Sequence, residues 1–286
     1  MIVWRDEHTT LFRSALYETV STVIATKDCV IVVDPCWLPH EVEEIRQYSD
    51  SIKGERPLYL LFTHSDYDHI IGYQAFPEAK VIASQAFADK SGEKKEDIIE
   101  QIKAFDDEYY VTRSYEIVYP EVDIPIEGDG KSFSVGGTTL TFFQAPGHNA
   151  DGLFTIIEPL GILVAGDYFS DLEFPYIYVS SHEYEKSISK LDTILEKYSI
   201  RMLVTGHGNP TREYAEIKKR QQDSFDYIRA MRKLIQEKDV EGISLLIEGC
   251  KFPRNMKKFH YNNQLLFEKE FIEMGLPIGG VNKGQE

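Results

Sequence analysis

Cysteine is scarce: only Cys29, Cys36 and Cys250 occur, and none forms a close pair motif. An odd, scattered set argues against a disulfide framework or a zinc–thiolate site, and it fits reduced thiols in a cytoplasm. Long apolar runs are also missing. CVIVV (29–33) and LYLLF (58–62) fall far short of the roughly 20 residues that cross a bilayer, so no membrane partner is expected. The opening MIVWRDEHTT carries charge where a signal peptide needs its apolar stretch, and no export signal is read there. Positive charge is in deficit, with 31 Lys and Arg against 47 Asp and Glu, a net charge of −16. That argues against nucleic acid, whose binding relies on clustered basic residues. The basic runs KKR (218–220) and KK (257–258) lie in acid-rich, helix-like stretches and read as solvated helix faces. Repeats with a period of 20–50 residues are absent as well.

What is present is an ordinary globular composition, 42% hydrophobic and 27% charged over 286 residues. That length suits one large α/β domain with an appendage, able to bury a core without staples. Residues 1–34 read as successive strands, LFRSALYE, VSTVIAT and CVIVVDP, with a turn at Lys27-Asp28. In HEVEEIRQYSDSI (40–52), Val42, Ile45 and Tyr48 recur at helical spacing. Strands PLYLLFT and KVIAS (80–84) follow, then a helix over 94–105. Turn glycines flank two strand-like runs before residue 145, and LFTIIEP with GILVAGD reads as a hairpin pair. A helix over about 182–198 leads into IRMLVTGHG, and from about 211 the pattern is helical and charged. The expectation is a mixed-sheet α/β core over 1–210, with a helical extension over 211–286 packed on it as part of the same domain. Ligands in such folds gather outside the strand ends, where loops converge.

Chemistry collects at those ends. CVIVV runs into Asp34, and LYLLF into THSDYDH, which places His64, Asp66, Asp68 and His69 within six positions. TLTFFQ runs into a loop ending in His148, GILVAG into Asp167, and MLVTG into His207. One strand-end histidine is ordinarily a capped or solvated residue. Four of them, with Asp66, Asp68 and Asp167, are hard to explain that way. Imidazole with carboxylate suits zinc, iron or manganese, and suits calcium poorly. His64 and Asp66, two apart on an extended exit, share one side, whereas a turn at Tyr67 can aim Asp68 and His69 at a second point. Two metal subsites with one carboxylate between them are expected; such pairs lie roughly 3.5–4 Å apart and hold a bridging hydroxide.

The ordered series Asp34, THSDYDH, PGHNADG, AGD and TGHG resembles the five signature motifs of the metallo-β-lactamase-fold superfamily, over roughly residues 20–210. The resemblance implies a four-layer αββα sandwich with a metal site along one edge of the two sheets. It implies that His64, Asp66 and His148 bind a first divalent ion, and Asp68, His69 and His207 a second, with Asp167 bridging. Asp34 would be a nearby support. The helical tail resembles the C-terminal helices that several family hydrolases carry beside their substrate cleft.

The departure is Asp66, where the common HxHxDH pattern has histidine. A histidine Nδ1 and an aspartate oxygen both lie two bonds beyond Cβ, so Asp66 can reach the same ion. Two divalent ions bring four positive charges; three aspartates and a hydroxide bring four negative ones, where histidine would leave the site at plus one. More anionic ligation weakens the Lewis acids, raises the pKa of the bridging water and favours iron or manganese over zinc. In the other reading Asp66 is hydrogen-bonded to His64 behind the ligands.

Tyr67, Tyr73, Tyr168, Phe169, Phe174, Tyr176 and Tyr178 follow these motifs. Each alone is an ordinary core or rim aromatic; together they suggest an apolar cleft. Tyr67 and Tyr168 are nominated as oxyanion donors. His8, His40, His182 and His260 read as surface or structural, and Cys36 as a small buried thiol. The expected function is cytoplasmic, metal-dependent hydrolysis of a small ester, lactone or thioester by the bridging hydroxide, with Asp68 and Asp167 orienting it. The sequence leaves room for a homodimer. The rivals are a phosphodiesterase, a catalytically degenerate metal-binding sensor, and a diiron oxidoreductase. The last resembles the flavodiiron branch, with glutamate at this ligand position; no flavin-binding domain follows in this sequence, so electrons would come from a separate partner.

Overall fold

In the strand Val30–Val33, Val30 and Val32 face one hydrophobic cluster while Ile31 and Val33 face another, and all four are buried. A strand buried on both faces belongs inside a layered domain. The computed structural model of the protein describes residues 1–275, so the end of the expected helical extension, 276–286, lies outside the described residues. The first sheet takes seven strands in chain order: β1 (Ile2–Arg5), β2 (Thr9–Arg13), β3 (Val20–Ala25), β4 (Val30–Val33), β5 (Leu58–Leu61), β6 (Lys80–Ser84) and β7 (Ile124–Ile126). Pairing is antiparallel up to β4 and parallel from β4 to β7. The second sheet holds β8 (Lys131–Val135), β9 (Thr138–Gln144), β10 (Leu153–Glu158), β11 (Ile162–Val164) and β12 (Met202–Val204), in the order β12-β11-β10-β9-β8. There only β11 and β12 run parallel.

The helices are α1 (Pro39–Lys53), the single turns α2 (Tyr67–Ile70) and α3 (Gln85–Ala88), α4 (Gly92–Glu108), α5 (Ser181–Lys197), α6 (Tyr214–Glu237), α7 (Val240–Leu245) and α8 (Pro253–Glu273). Three apolar clusters separate four layers. Val42 and Ile45 of α1 and Ile99 and Ile102 of α4 meet Val32, Leu60 and Val81 on the outer face of the first sheet. Ile31, Leu61 and Ile82 meet Phe142, Ile157 and Val204 between the sheets. Phe154, Ile156 and Leu203 meet Ile188 and Leu191 of α5, Ile228 and Met231 of α6, and Phe267 of α8. The sandwich is therefore αββα, as expected, and the C-terminal helices share one cluster with the second sheet.

The run LFRSALYE is not one strand. Pairing stops at Arg13, where Glu41 of α1 takes the Ser14 hydroxyl and the Ala15 amide, at 2.8 and 2.9 Å. The chain then turns through Tyr17 and Glu18, both at positive φ, before β3 begins. The edge strand β1 has no counterpart in the sequence reading, because all four of its residues are exposed and no buried face imposes an alternation. Two contacts pin the sheets together at one edge: the Val20 amide donates to the Gly206 carbonyl at 2.7 Å, and the Leu153 amide to the Thr63 carbonyl at 2.8 Å. The ends of β4, β5, β9, β11 and β12 all open onto that edge.

Candidate metal centre

After β5, Thr63 to Asp66 remain extended and Tyr67 to Ile70 close a single helical turn. This change of backbone splits the motif. His64 Nε2 lies 3.6 Å from Asp66 Oδ2, which in turn lies 3.3 Å from His148 Nε2. Beyond the turn, Asp68 Oδ2 lies 3.6 Å from His69 Nε2 and 3.7 Å from His207 Nε2. Asp167 sits between the two triads: Oδ2 is 3.6, 3.4 and 3.5 Å from the Nε2 atoms of His64, His148 and His207, and Oδ1 is 3.2 Å from that of His69. All seven residues that the sequence nominated as ligands thus gather into two adjoining triads with Asp167 between them.

The donor set fits divalent ions. His64 Nε2, His69 Nε2, His148 Nε2 and Asp167 Oδ1 are buried and have no hydrogen-bond partner, a costly state for any polar atom without a ligand. Each triad keeps its ligand atoms within 4.8 Å of one another. The opposite ring nitrogens are all committed, which fixes the tautomers. His64 Nδ1 donates to the Thr63 hydroxyl at 3.0 Å, and that hydroxyl donates to Asp34 Oδ2 at 2.6 Å. His69 Nδ1 donates to Asp34 Oδ2 at 3.0 Å, His148 Nδ1 to the Tyr176 carbonyl at 2.6 Å and His207 Nδ1 to the Tyr17 carbonyl at 3.0 Å. Asp34 is therefore a support that orients two histidines.

Sequence reasoning missed the residues that brace this shell. Asp66 Oδ1, the oxygen facing away from the triad, accepts from Asn149 Nδ2 at 2.6 Å and from the Tyr178 hydroxyl. Asp151 accepts the Ser65 amide at 3.2 Å and pairs with Lys90 at 3.0 Å, tying the His64 and His148 loops together. Glu173 brings Oε1 to 3.9 Å from His207 Nδ1. Asn149 was findable, since it follows His148 directly and a carboxylate with one oxygen on a metal needs donors for the other. Tyr178, 112 positions from Asp66, left no local signal.

One of the two nominated tyrosines is committed to the backbone. The Tyr168 hydroxyl accepts the His148 amide at 3.0 Å and donates to the Ala145 carbonyl at 2.8 Å, so it shapes the His148 loop and cannot serve as an oxyanion donor. Tyr67 packs edge-on against Trp37, with centroids 5.5 Å apart. His260 is buried between the Tyr227 hydroxyl and the Ile243 carbonyl and has a structural role. Burial pushes the Cys36 thiol far up, consistent with an inert side chain.

Charge binds these side chains to one another. Burial and His69 pull His64 down, but Asp167 and Asp66 outweigh them and hold it at about 10. Burial likewise lowers His207, while Glu173 and Asp167 lift it to about 10; His69 is raised too, by Asp167 and Asp68 against burial. Asp66 and Asp167 are held well below 3.8 by these imidazoles despite burial. The raised histidines stabilise the metal-free fold fully below pH 6.5 and lose that contribution as pH climbs to about 10. The depressed aspartates contribute above pH 3.8 and lose it in acid. The melting temperature of metal-free protein is expected to fall steadily from pH 6.5 to 10, while that of metal-loaded protein holds. Calorimetry over that range checks this; parallel profiles would contradict it.

Two glycines let the backbone approach this shell. A Cβ on Gly206 would stand 2.1 Å from Asp167 Oδ1 and 2.9 Å from His69 Cε1, while one on Gly147 would meet the Tyr184 backbone at 2.4 Å. Gly206→Ala removes no ligand, yet is expected to lower metal content by displacing Asp167. Elemental analysis checks this, and full occupancy would contradict it.

A four-layer sandwich with two histidine–aspartate triads sharing one aspartate at the sheet edge narrows the family. The sequence profile of the metallo-beta-lactamase superfamily matches residues 16–233. The chain belongs to that superfamily. Superfamily structures share its fold at low identity. A metallo-beta-lactamase family protein from Thermus thermophilus has a TM-score of 0.64 and 18% identity, covering 94% of each chain. An archaeal superfamily protein from Sulfolobus tokodaii gives 0.54 and 16%, covering 94% of this chain and 100% of its own. The flavodiiron core of Flv1 from Synechocystis gives 0.54 and 16%, covering 83% of this chain and 62% of its own. Among curated proteins the sequence has no match. Among the described residues, no helix is long and apolar enough to cross a membrane.

Proposed function

We propose that the protein is a binuclear metal-dependent hydrolase of a small ester, lactone or thioester. The observation that carries this reading is Asp167, whose carboxylate stands within 3.2–3.6 Å of four histidine nitrogens belonging to two triads. His64, Asp66 and His148 would hold one divalent ion, Asp68, His69 and His207 the other, and Asp167 both. Bound there, the pair would supply a water acidified to neutral pH and a Lewis acid for the substrate carbonyl. Asp68 and Asp167 orient the attacking water by accepting its hydrogens.

An acyl substrate is supported by what surrounds the shell. Tyr178 and Tyr176 stand 5.0 and 5.9 Å from the His148 ring, and Phe259 of α8 stacks on Tyr176 at 4.5 Å. Glu173 adds a further acid near His207, unfavourable to a polyanionic substrate. The test is elemental analysis of protein expressed with balanced metal supply, followed by a panel of esters, lactones, thioesters and phosphodiesters. Two metals with turnover of an acyl substrate are expected. Full metal content without turnover on the panel would overturn the reading.

A second reading, diiron redox chemistry, is favoured by one observation only: a carboxylate oxygen of Asp66 faces the first triad. Iron as the sole metal, with oxygen or nitric oxide consumption given a reductant, would favour it over hydrolysis.

A further inference from the structure

We propose that Tyr178 and Asn149 act as positioning residues that restrict Asp66 to a single metal-facing oxygen and drain charge from it, so that this aspartate behaves more like the imidazole it replaces. The proposal rests on the reading of Asp66 as a metal ligand.

A free carboxylate can offer a metal either one oxygen or both. Here the two oxygens of Asp66 have different company. Oδ2 faces His64 and His148 at 3.6 and 3.3 Å, whereas Oδ1 accepts two hydrogen bonds, from Asn149 Nδ2 at 2.6 Å and from the Tyr178 hydroxyl. An oxygen with two donors has little left for a cation, and donors on one oxygen draw negative charge away from the other. The clamp thus opposes both consequences of placing aspartate here, two-oxygen ligation and a full extra negative charge.

The donors are held by the frame, not by Asp66 itself. The Ile177 amide donates to Asn263 Oδ1 of α8 at 2.8 Å, and the Val179 amide to the Gly147 carbonyl at 3.2 Å, so Tyr178 is fastened on both sides. The same segment supplies the Tyr176 carbonyl that orients His148. One strip of chain, anchored on α8, therefore positions two of the three groups of the first triad. Asn149 is adjacent to His148, and its own Oδ1 accepts the Ala150 amide at 2.7 Å, which leaves Nδ2 directed at Asp66.

The test titrates metal-free protein with Mn2+ and Zn2+ in turn, free Mn2+ being read by electron paramagnetic resonance and Zn2+ by competition with a chromophoric chelator. Tyr178→Phe keeps the ring and removes only the hydroxyl. It is expected to leave Asp66 more basic and to shift first-site preference about tenfold toward manganese, the lower end of the effect of partners behind metal ligands. Asn149→Ala, which removes the other donor, is expected to move the ratio the same way. In an Asp66→His background, Tyr178→Phe is expected to change the ratio less than about twofold. Unchanged metal preference in Tyr178→Phe, or the same shift with and without Asp66, would overturn the proposal. These readouts need no substrate, so failure of the hydrolase reading alone would leave them intact.

Discussion

Asp167→Asn is expected to cost the centre at least one of its two metals and nearly all of its activity, although asparagine has almost the same shape. Among the described residues, this is the only carboxylate within 3.6 Å of histidine nitrogens from both triads. Oδ2 serves three of those nitrogens and Oδ1 the fourth. An amide in its place puts an NH2 donor where one of those oxygens must face a cation, and the shared ligand is lost to at least one ion. Losing a metal forfeits several kcal/mol of transition-state stabilisation, and about 1.36 kcal/mol is a factor of ten, so kcat/KM should fall by about a thousandfold or more. The metal-free fold should respond too. His64, His69 and His207 are held up partly by Asp167, and without it their pKa values should fall back toward 6.5. Histidine proton NMR of the metal-free variant would show that fall, and elemental analysis the missing ions. A variant that keeps two metals per chain and wild-type rate would remove Asp167 from the centre and the binuclear assignment with it.

How much of this was legible in the sequence depends on how locally each feature is encoded. Strand β4 was readable because four consecutive apolar residues can only be satisfied between two layers, and β5 likewise; β4 then delivers the supporting Asp34 and β5 the ligands of THSDYDH. The seven candidate ligands were readable because metal-binding side chains need backbone that turns sharply at a strand end, and His64, His148, Asp167 and His207 all stood there. What stayed hidden was decided by distant partners. Glu41 captures Ser14 and Ala15 and ends β2 early, yet nothing near residue 14 announces a carboxylate 27 positions away. Tyr168 sat in the right loop but spends its hydroxyl on the backbone of a neighbouring loop. Tyr178 looked like one rim aromatic among several, and its meaning came only from where α8 holds it. Sequence position told which residues reach the site; tertiary contacts decided which of their atoms are free to act there.

Asp66→His is expected to turn the site toward zinc and to make the metal-free fold less stable. Histidine Nδ1 can stand where Oδ2 now stands, 3.3 Å from His148 Nε2, so the first triad can be rebuilt without moving the backbone. The site then gains one positive charge and a softer ligand, and zinc should gain on manganese by about tenfold or more in competitive loading. A more electropositive pair acidifies water further, so the acid limb of the pH–rate profile should move to lower pH. The destabilisation has a separate cause. Asp66 Oδ1 is the acceptor for Asn149 and Tyr178, and an imidazole with Nδ1 in the place of Oδ2 puts a carbon, Cδ2, in the place of Oδ1. Asn149 is buried, and an unpaired buried donor costs about 1–3 kcal/mol. Apo Asp66→His should therefore melt below apo wild type, and Asp66→His with Asn149→Ala should recover part of the loss. If Asp66→His leaves both metal preference and the acid limb where they were, Asp66 lies behind the ligands and does not bind metal.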